Sequence, residues 1–241
     1  MTRRPERDPI LELPTLSIAR SLLGWRLIRD DAAGGLRVGR IVELEAYIGE
    51  DDRASHARFG RTARNEVMYG PPGRAYVYLV YGMYDCLNIV TEPVGSPAAL
   101  LVRAVEPLDG ADLMRGSRTR RATMRRRSAA AAQEPPDGAA GARAGRSAVA
   151  DDRLASGPGL VCAAFDLDRT LTGHDLFSPD ASIRIEPAPA GEPRPAIVAG
   201  PRVGIGYAGP PWTEVPWRLA IAGNPAVSRP SVEAATGRRT G

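Results

Sequence analysis

Residues 74–91 read RAYVYLVYGMYDCLNIVT. Four of the seven tyrosines of the chain, Tyr76, Tyr78, Tyr81 and Tyr84, fall in this stretch, although aromatic residues are only 5% of the composition. Apolar and aromatic residues run from Ala75 to Tyr81, Gly82 permits a sharp turn, and a second run spans Cys86 to Val90. The pattern predicts a β-hairpin. Strand alternation sets Tyr76, Tyr78 and Val80 on one face and Val77, Leu79 and Tyr81 on the other, so Tyr78 and Tyr81 point opposite ways. One can line a pocket while the other projects at the tip; tyrosines packed into a core account for the same alternation.

Upstream, LSIARSLL spaces Leu16, Ile18, Ala19, Leu22 and Leu23 for a short amphipathic helix, with Thr15 or Ser17 as N-cap and Gly24 as its stop. Trp25 to Arg29 and Leu36 to Leu44 read as strands around a turn-rich connection. The second strand runs on through Glu43, Glu45 and Tyr47, which alternation puts on one face. Residues 49–73 are polar and arginine-bearing, with His56, Arg61 and Arg64, and end in Pro71-Pro72-Gly73 before the hairpin, a loop able to wrap a ligand. Ala98 to Val105 is an apolar strand broken by one charge, Arg103, which requires either a bound anion or a structural carboxylate partner. From Arg115 to Arg127 there are seven arginines and no acid, followed by an Ala-, Gly- and Pro-rich run to Ala150. Residues 116–150 therefore read as a disordered or only partly helical insert, either a phosphate-attracting arm or a solvated linker. A short helix is expected within Asp151 to Leu167, and strands around Ser182 to Glu186, Arg202 to Gly206 and Trp217 to Ala222. Residues 1–14 and 228–241 read as flexible ends around one domain over 15–227.

Composition narrows the classes. With 241 residues and 43% hydrophobic content the chain can bury a core as one domain. No apolar run approaches bilayer-spanning length and the first residues lack the apolar centre of a secretory signal, so a cytoplasmic protein without membrane contact is expected. Cys86, Cys162, His56 and His174 make no zinc spacing, and neither a metal nor another cofactor is expected. The net charge of +4 leans towards a polyanionic partner. All 32 basic residues are arginine, so no side chain can form a Schiff base.

Taken together, GRIVELEAYIGEDDRASHA, RTARNEVMYGPPGRAYVYLVYGMYDCLNIV, ALLVRAVEPLDG, the Ser156-Gly157-Pro158 turn, RVGIGYAG and GNPAVS resemble the alkyladenine (3-methyladenine) DNA glycosylase family. The resemblance implies a mixed α+β single domain around a curved, largely antiparallel β-sheet, with the hairpin protruding into DNA. It implies a monofunctional glycosylase of base excision repair that flips alkylated or deaminated purines out of duplex DNA and hydrolyses the N-glycosidic bond; a monomer is expected, since DNA bending by one chain is sufficient. Glu45 matches the general base, with Glu43 its internal competitor, and Arg103 matches the partner near the water and phosphate. Tyr47, His56, Tyr78 and Asn88 match base-pocket positions. Tyr81, flanked by Met83, matches the wedge that fills the gap left by the flipped base, and Arg61 and Arg64 are candidates for phosphate contact. The chain departs from the family at Gly159-Leu160-Val161, where a lysine is usual, and in the length of its insert. A DNA binder without catalysis and a nucleosidase are the rival readings; the first has no need of Glu45 beside Tyr47 and Arg103, and the second leaves Tyr81 without a role.

Overall fold

A computed structural model describes residues 8–31, 35–131 and 149–229, without the side chains of 128–131. Eight strands, β1 (Arg26–Asp31), β2 (Gly35–Ile48), β3 (Ala75–Val80), β4 (Tyr84–Thr91), β5 (Ala98–Asp109), β6 (Ile183–Glu186), β7 (Ile197–Gly200) and β8 (Arg218–Ile221), form one sheet. Three helices, α1 (Thr15–Leu22), α2 (Ala111–Ala131) and α3 (Pro158–Phe165), accompany it. All the strand pairings are antiparallel, in the order β3-β4-β5-β2-β1-β6, with β8 joining β2 and β7 joining β8. The chain is thus a mixed α+β domain around an open, curved antiparallel sheet, as the sequence led one to expect.

The long strand β2 organises this sheet. One edge pairs with β5 along its length, while the other is shared: β1 takes residues 35–40 and β8 takes Glu43 to Glu45. The β2–β5 register slips between Ile41 and Glu43 and again between Glu43 and Leu44, where the second edge changes partner. Such slips bend a strand and re-aim its side chains. Here they act on the two glutamates.

α1 buries Thr15, Ile18, Ala19 and Leu22, the i, i+3, i+4, i+7 stripe of an amphipathic helix. Burying Ile18 or Leu22 contributes about 1.5–3 kcal/mol each. Neither Thr15 nor Ser17 is its N-cap. That position is Pro14, and the Thr15 N–H donates instead to Glu92 Oε1 at 2.8 Å, so a carboxylate distant in sequence satisfies the helix start.

Three further expectations are corrected and one is narrowed. The chain is ordered before residue 15: Pro9–Glu12 is a 3-10 turn that buries Ile10 and Leu11 in the core. Of the two readings of the insert, disordered or partly helical, residues 116–131 take the helical one, because Met114 and Ser117 are buried and arginines of the same face find carboxylates on neighbouring segments; residues 132–148 lie outside the described residues. No strand covers Arg202 to Gly206. β7 lies earlier, at Ile197–Gly200, and Arg202 is instead drawn into a buried ion pair with Asp52. The end of the domain extends past residue 227, since Ser228 is buried and bonded to Glu43.

β3 and β4 pair from Ala75↔Ile89 to Val80↔Tyr84, joined through Tyr81, Gly82 and Met83. The Met83 N–H donates to the Val80 carbonyl at 3.0 Å, and both central residues of this turn have positive φ, 51° at Tyr81 and 67° at Gly82. Gly82 adopts that conformation without cost. A tyrosine there is strained by about 1–3 kcal/mol, and Tyr81 is also 84% exposed.

Candidate functional site

Glu43, Glu45 and Arg103 meet where β2 bends against β5, and all three are buried. Arg103 Nε donates to Glu43 Oε1 at 2.9 Å, and its Nη1 lies 3.4 Å from Glu45 Oε1. The arginine inside the apolar strand therefore has carboxylate partners. Burial would by itself lower the Arg103 pKa, but Glu45 and Glu43 outweigh it and raise it.

The two glutamates are treated differently by their surroundings. Glu43 receives Arg103 Nε, Arg218 Nε at 2.6 Å, and both the N–H and Oγ of Ser228, at 2.7 and 3.0 Å. It closes a buried structural network. Glu45 accepts the Val203 N–H at 2.7 Å on Oε1 and the Tyr47 hydroxyl at 2.9 Å on Oε2. A carboxylate has about four lone-pair sites, and Glu45 retains acceptor capacity on the side of Tyr47. Burial raises its pKa; Arg103, Val203 and Tyr47 pull it back only partly.

Tyr47 links this carboxylate to a recess lined by Tyr47, Ala54, His56, Met68, Tyr76, Tyr78, Asn88 and Tyr207. The recess encloses about 60 Å³ and opens outward. It lies on the seam between two small apolar clusters. Ala57, Met68, Tyr69, Tyr76, Val90 and Ala99 form one, against which Tyr78 packs; Ala54, Ile205 and Ala208 form the other, against which Tyr47 and Trp212 pack. Alternation along β3 brings Tyr76 and Tyr78 to this seam together, with ring centroids 5.3 Å apart. His56 meets Tyr78 edge-on at 4.4 Å, and its Nδ1 lies 2.9 Å from the Tyr76 hydroxyl. Burial, and then Arg64 and Arg58, lower the His56 pKa to about 4, so the ring is neutral at neutral pH.

That shift makes a stability prediction. The folded pKa lies below the usual 6.5, so the unfolded chain takes up the proton first; stability is complete above about pH 6.5 and falls as pH drops towards 4. Melting curves of a His56→Asn variant should lose less Tm than the parent over this interval. Parallel Tm profiles would mean that His56 is not held neutral by the fold.

Asn88, opposite Tyr76 in the β3–β4 ladder, donates its amide nitrogen to the carbonyls of Tyr76 at 3.1 Å and Cys86 at 3.3 Å. Both neighbours are acceptors, which sets the amide orientation and turns Oδ1 away from them. Behind Tyr47, the buried Arg202 grips both oxygens of Asp52 at 2.6 and 2.9 Å, with its guanidinium carbon 4.8 Å from the Tyr47 ring centroid. Arg202 thus backs the tyrosine while the next residue, Val203, holds Glu45.

The structure brings Glu45, Arg103, Tyr47, His56, Tyr78 and Asn88 into one neighbourhood. Tyr81 and Met83 stand apart on the β3–β4 turn, both exposed. Arg64 bonds the Leu79 carbonyl at 3.3 Å and lies 5.6 Å from the Tyr78 ring centroid, at the edge of the recess. Arg61 is exposed and paired with Glu66 at 2.9 Å. Sequence reasoning missed Tyr76, Tyr207, Arg202, Asp52, Arg218 and Ser228. Tyr76 was within reach, since it shares strand parity with Tyr78. Among the described residues no group of three His, Cys, Asp or Glu side chains could hold a metal ion, and no helix is long and apolar enough to cross a membrane.

Comparison with known proteins adds relatives to this geometry. Residues 10–225 match the family described as Methylpurine-DNA glycosylase (MPG). A Methanocella arvoryzae protein named "Putative 3-methyladenine DNA glycosylase" is 43% identical over 216 residues, 90% of this chain and 92% of that protein. The Mus musculus protein named "DNA-3-methyladenine glycosylase" is 41% identical over 219 residues, 89% of this chain and 58% of the mouse protein.

Proposed function

Since the chain belongs to the methylpurine-DNA glycosylase family, we propose that it excises alkylated or deaminated purines from duplex DNA by flipping the damaged nucleotide into the recess beside Tyr47 and hydrolysing its N-glycosidic bond. The observation that carries this reading is the position of Glu45, a buried carboxylate joined through the Tyr47 hydroxyl to an aromatic recess.

A base inside the stack is out of reach of Glu45, so the nucleotide must leave the helix at a cost of a few kcal/mol. The exposed Tyr81, held at positive φ, and its neighbour Met83 are the groups that enter the vacated space. The extruded purine lies against Tyr47, Tyr78 and His56. Tyrosine faces attract a positively charged alkylated base by about 0.5–2 kcal/mol each. Neutral His56 adds no repelling charge.

Cleavage transfers the C1′–N bond pair to the departing base, so a cationic purine leaves neutral while positive charge builds on the sugar. Ionised Glu45 stabilises that charge and takes a proton from the water whose oxygen bonds to C1′. Arg103 and the Val203 N–H keep the carboxylate aimed. With no lysine anywhere in the chain, no side-chain amine is available to form a Schiff base with the abasic sugar, and base release proceeds without strand cleavage.

Asn88, locked by two carbonyls, filters the purines by occupying the room a guanine 2-amino group would need. Replacing it with serine should lower discrimination against guanine lesions by about tenfold to a hundredfold, the scale of a small steric filter. Single-turnover rates on matched adenine and guanine lesions measure this; an unchanged ratio would remove Asn88 from the filter.

The reading as a whole is tested with duplex oligonucleotides carrying one ethenoadenine, one hypoxanthine or random methylation. Free base should appear together with sites that break only after alkali. Binding to all three without any base release would sink the catalytic reading and leave a DNA-distorting binder. Breaks before alkali would sink the monofunctional assignment.

A further inference from the structure

α2 carries seven arginines between positions 115 and 127, and the fold divides them into two groups. The first four are committed to the protein. Arg115 pairs with Asp151, and Arg118 donates to the carbonyls of Arg153 and Leu154, both at 2.9 Å. Arg120 and Arg121 pair with Asp166, and Arg121 also reaches Asp85 at 3.5 Å. With the buried Met114 and Ser117, these contacts seat α2 beside α3.

The last three are different. Arg125 lies with its guanidinium carbon 4.4 Å from the centroid of the Tyr84 ring. Arg126 and Arg127 are exposed, and among the described residues none of the three has a carboxylate partner. Tyr84 is the residue that closes the β3–β4 turn opposite Val80, and Gly159 at the start of α3 is packed so tightly against it that a Cβ would come within 2.8 Å of its ring. The ring is therefore fixed, and it holds the Arg125 end of α2 beside the turn that bears Tyr81 and Met83. Three adjacent guanidinium groups with no carboxylate beside them set up a local positive potential that favours a nearby anion.

We propose that Arg125, Arg126 and Arg127 of α2 form a second DNA-contacting surface, holding phosphates of the duplex next to the base step entered by the β3–β4 turn. This rests on the glycosylase reading for the place of the lesion. The occupant follows from charge complementarity and from continuity with the exposed turn: planar guanidinium forks match phosphate oxygens, and an anion bound here lies along the same duplex that Tyr81 would enter. The surface contributes affinity and registers the protein on the backbone, with no part in bond cleavage.

The test uses the full chain carrying Arg125→Ala, Arg126→Ala and Arg127→Ala together, and a charge-keeping version with lysine at the same three positions. Alanine is the best helix former, so α2 should persist, as circular dichroism can verify. Binding to an undamaged duplex is measured against salt concentration. Each arginine that reaches a phosphate contributes about 0.9 to the slope of log affinity on log salt, so the alanine variant should lose roughly 1 to 3 from that slope, and the lysine variant should regain most of it. An unchanged slope overturns the proposal, as does a slope lost equally in the lysine variant, which would assign the effect to stacking on Tyr84. Because the slope is read on undamaged DNA, a parent that binds this way but releases no base would fail the glycosylase reading while leaving the α2 surface standing.

Discussion

Glu45→Gln should bind lesion-bearing duplex like the parent and release almost no base. A positioned general base contributes about 10² to 10⁴ in rate, so single-turnover excision should fall by at least that range. The variant should fold normally: its oxygen can still accept from Val203 or Tyr47, and it removes a charge that burial disfavours. The same carboxylate sets the acid limb of the parent's pH profile. Its pKa is raised, so excision fails on acidification at a higher pH than an ordinary glutamate would set. Single-turnover rates across acidic pH, alongside gel-shift affinities, provide the check. A Glu45→Gln variant within tenfold of the parent would dismiss Glu45 as the base.

Glu43→Gln should show the opposite pattern, with a large loss of stability and a surviving active site. Glu43 is the carboxylate between Arg103 and Arg218, each buried, and it also caps Ser228. Without its charge both Arg218 and Arg103 lose a buried carboxylate, and Arg103 keeps only the longer carboxylate contact, with Glu45. Breaking a buried pair in this way costs about 3–5 kcal/mol, which for a domain of this size lowers Tm by roughly 6–20 °C. Assayed at a temperature where it is still folded, the variant should keep measurable excision. If instead Glu43→Gln melts with the parent and is inactive, the two carboxylates have exchanged roles and the network around Glu43 is catalytic.

The contrast between these neighbours was only half legible in the sequence. Alternation along β2 put Glu43 and Glu45 on one face, and resemblance favoured Glu45. Nothing local marked Glu43 as the structural one, because its partners come from 60, 175 and 185 residues away. Strand parity set Tyr78 and Tyr81 on opposite faces, with Gly82 marking the turn beside Tyr81, whereas Asn88 was reached only through the family resemblance. Arg202 was misread as a strand residue: its apolar neighbours suggest extension, while its position is decided by Asp52, 150 residues distant. The sequence leaves the α2 segment between disorder and partial helix for a similar reason. A run of arginines and small residues is equally compatible with a solvated coil, and it settles as a helix on the core only once Asp151, Asp166 and Asp85 stand beside it.

The sequence by itself determined the paired strands around Gly82, the clustering of tyrosines there and the amphipathic α1, while the α+β class and the aromatic pocket came from the family resemblance. The strands and the helix follow from periodicity and turn chemistry, which act over a few residues and are written in order along the chain. The tertiary structure alone decided that Glu43 is held by two arginines and Ser228 while Glu45 faces Tyr47, that His56 stays neutral, and that three of seven helix arginines have no carboxylate partner among the described residues. These properties depend on burial and on which charges lie within a few ångströms, and that proximity exists only after distant segments have packed.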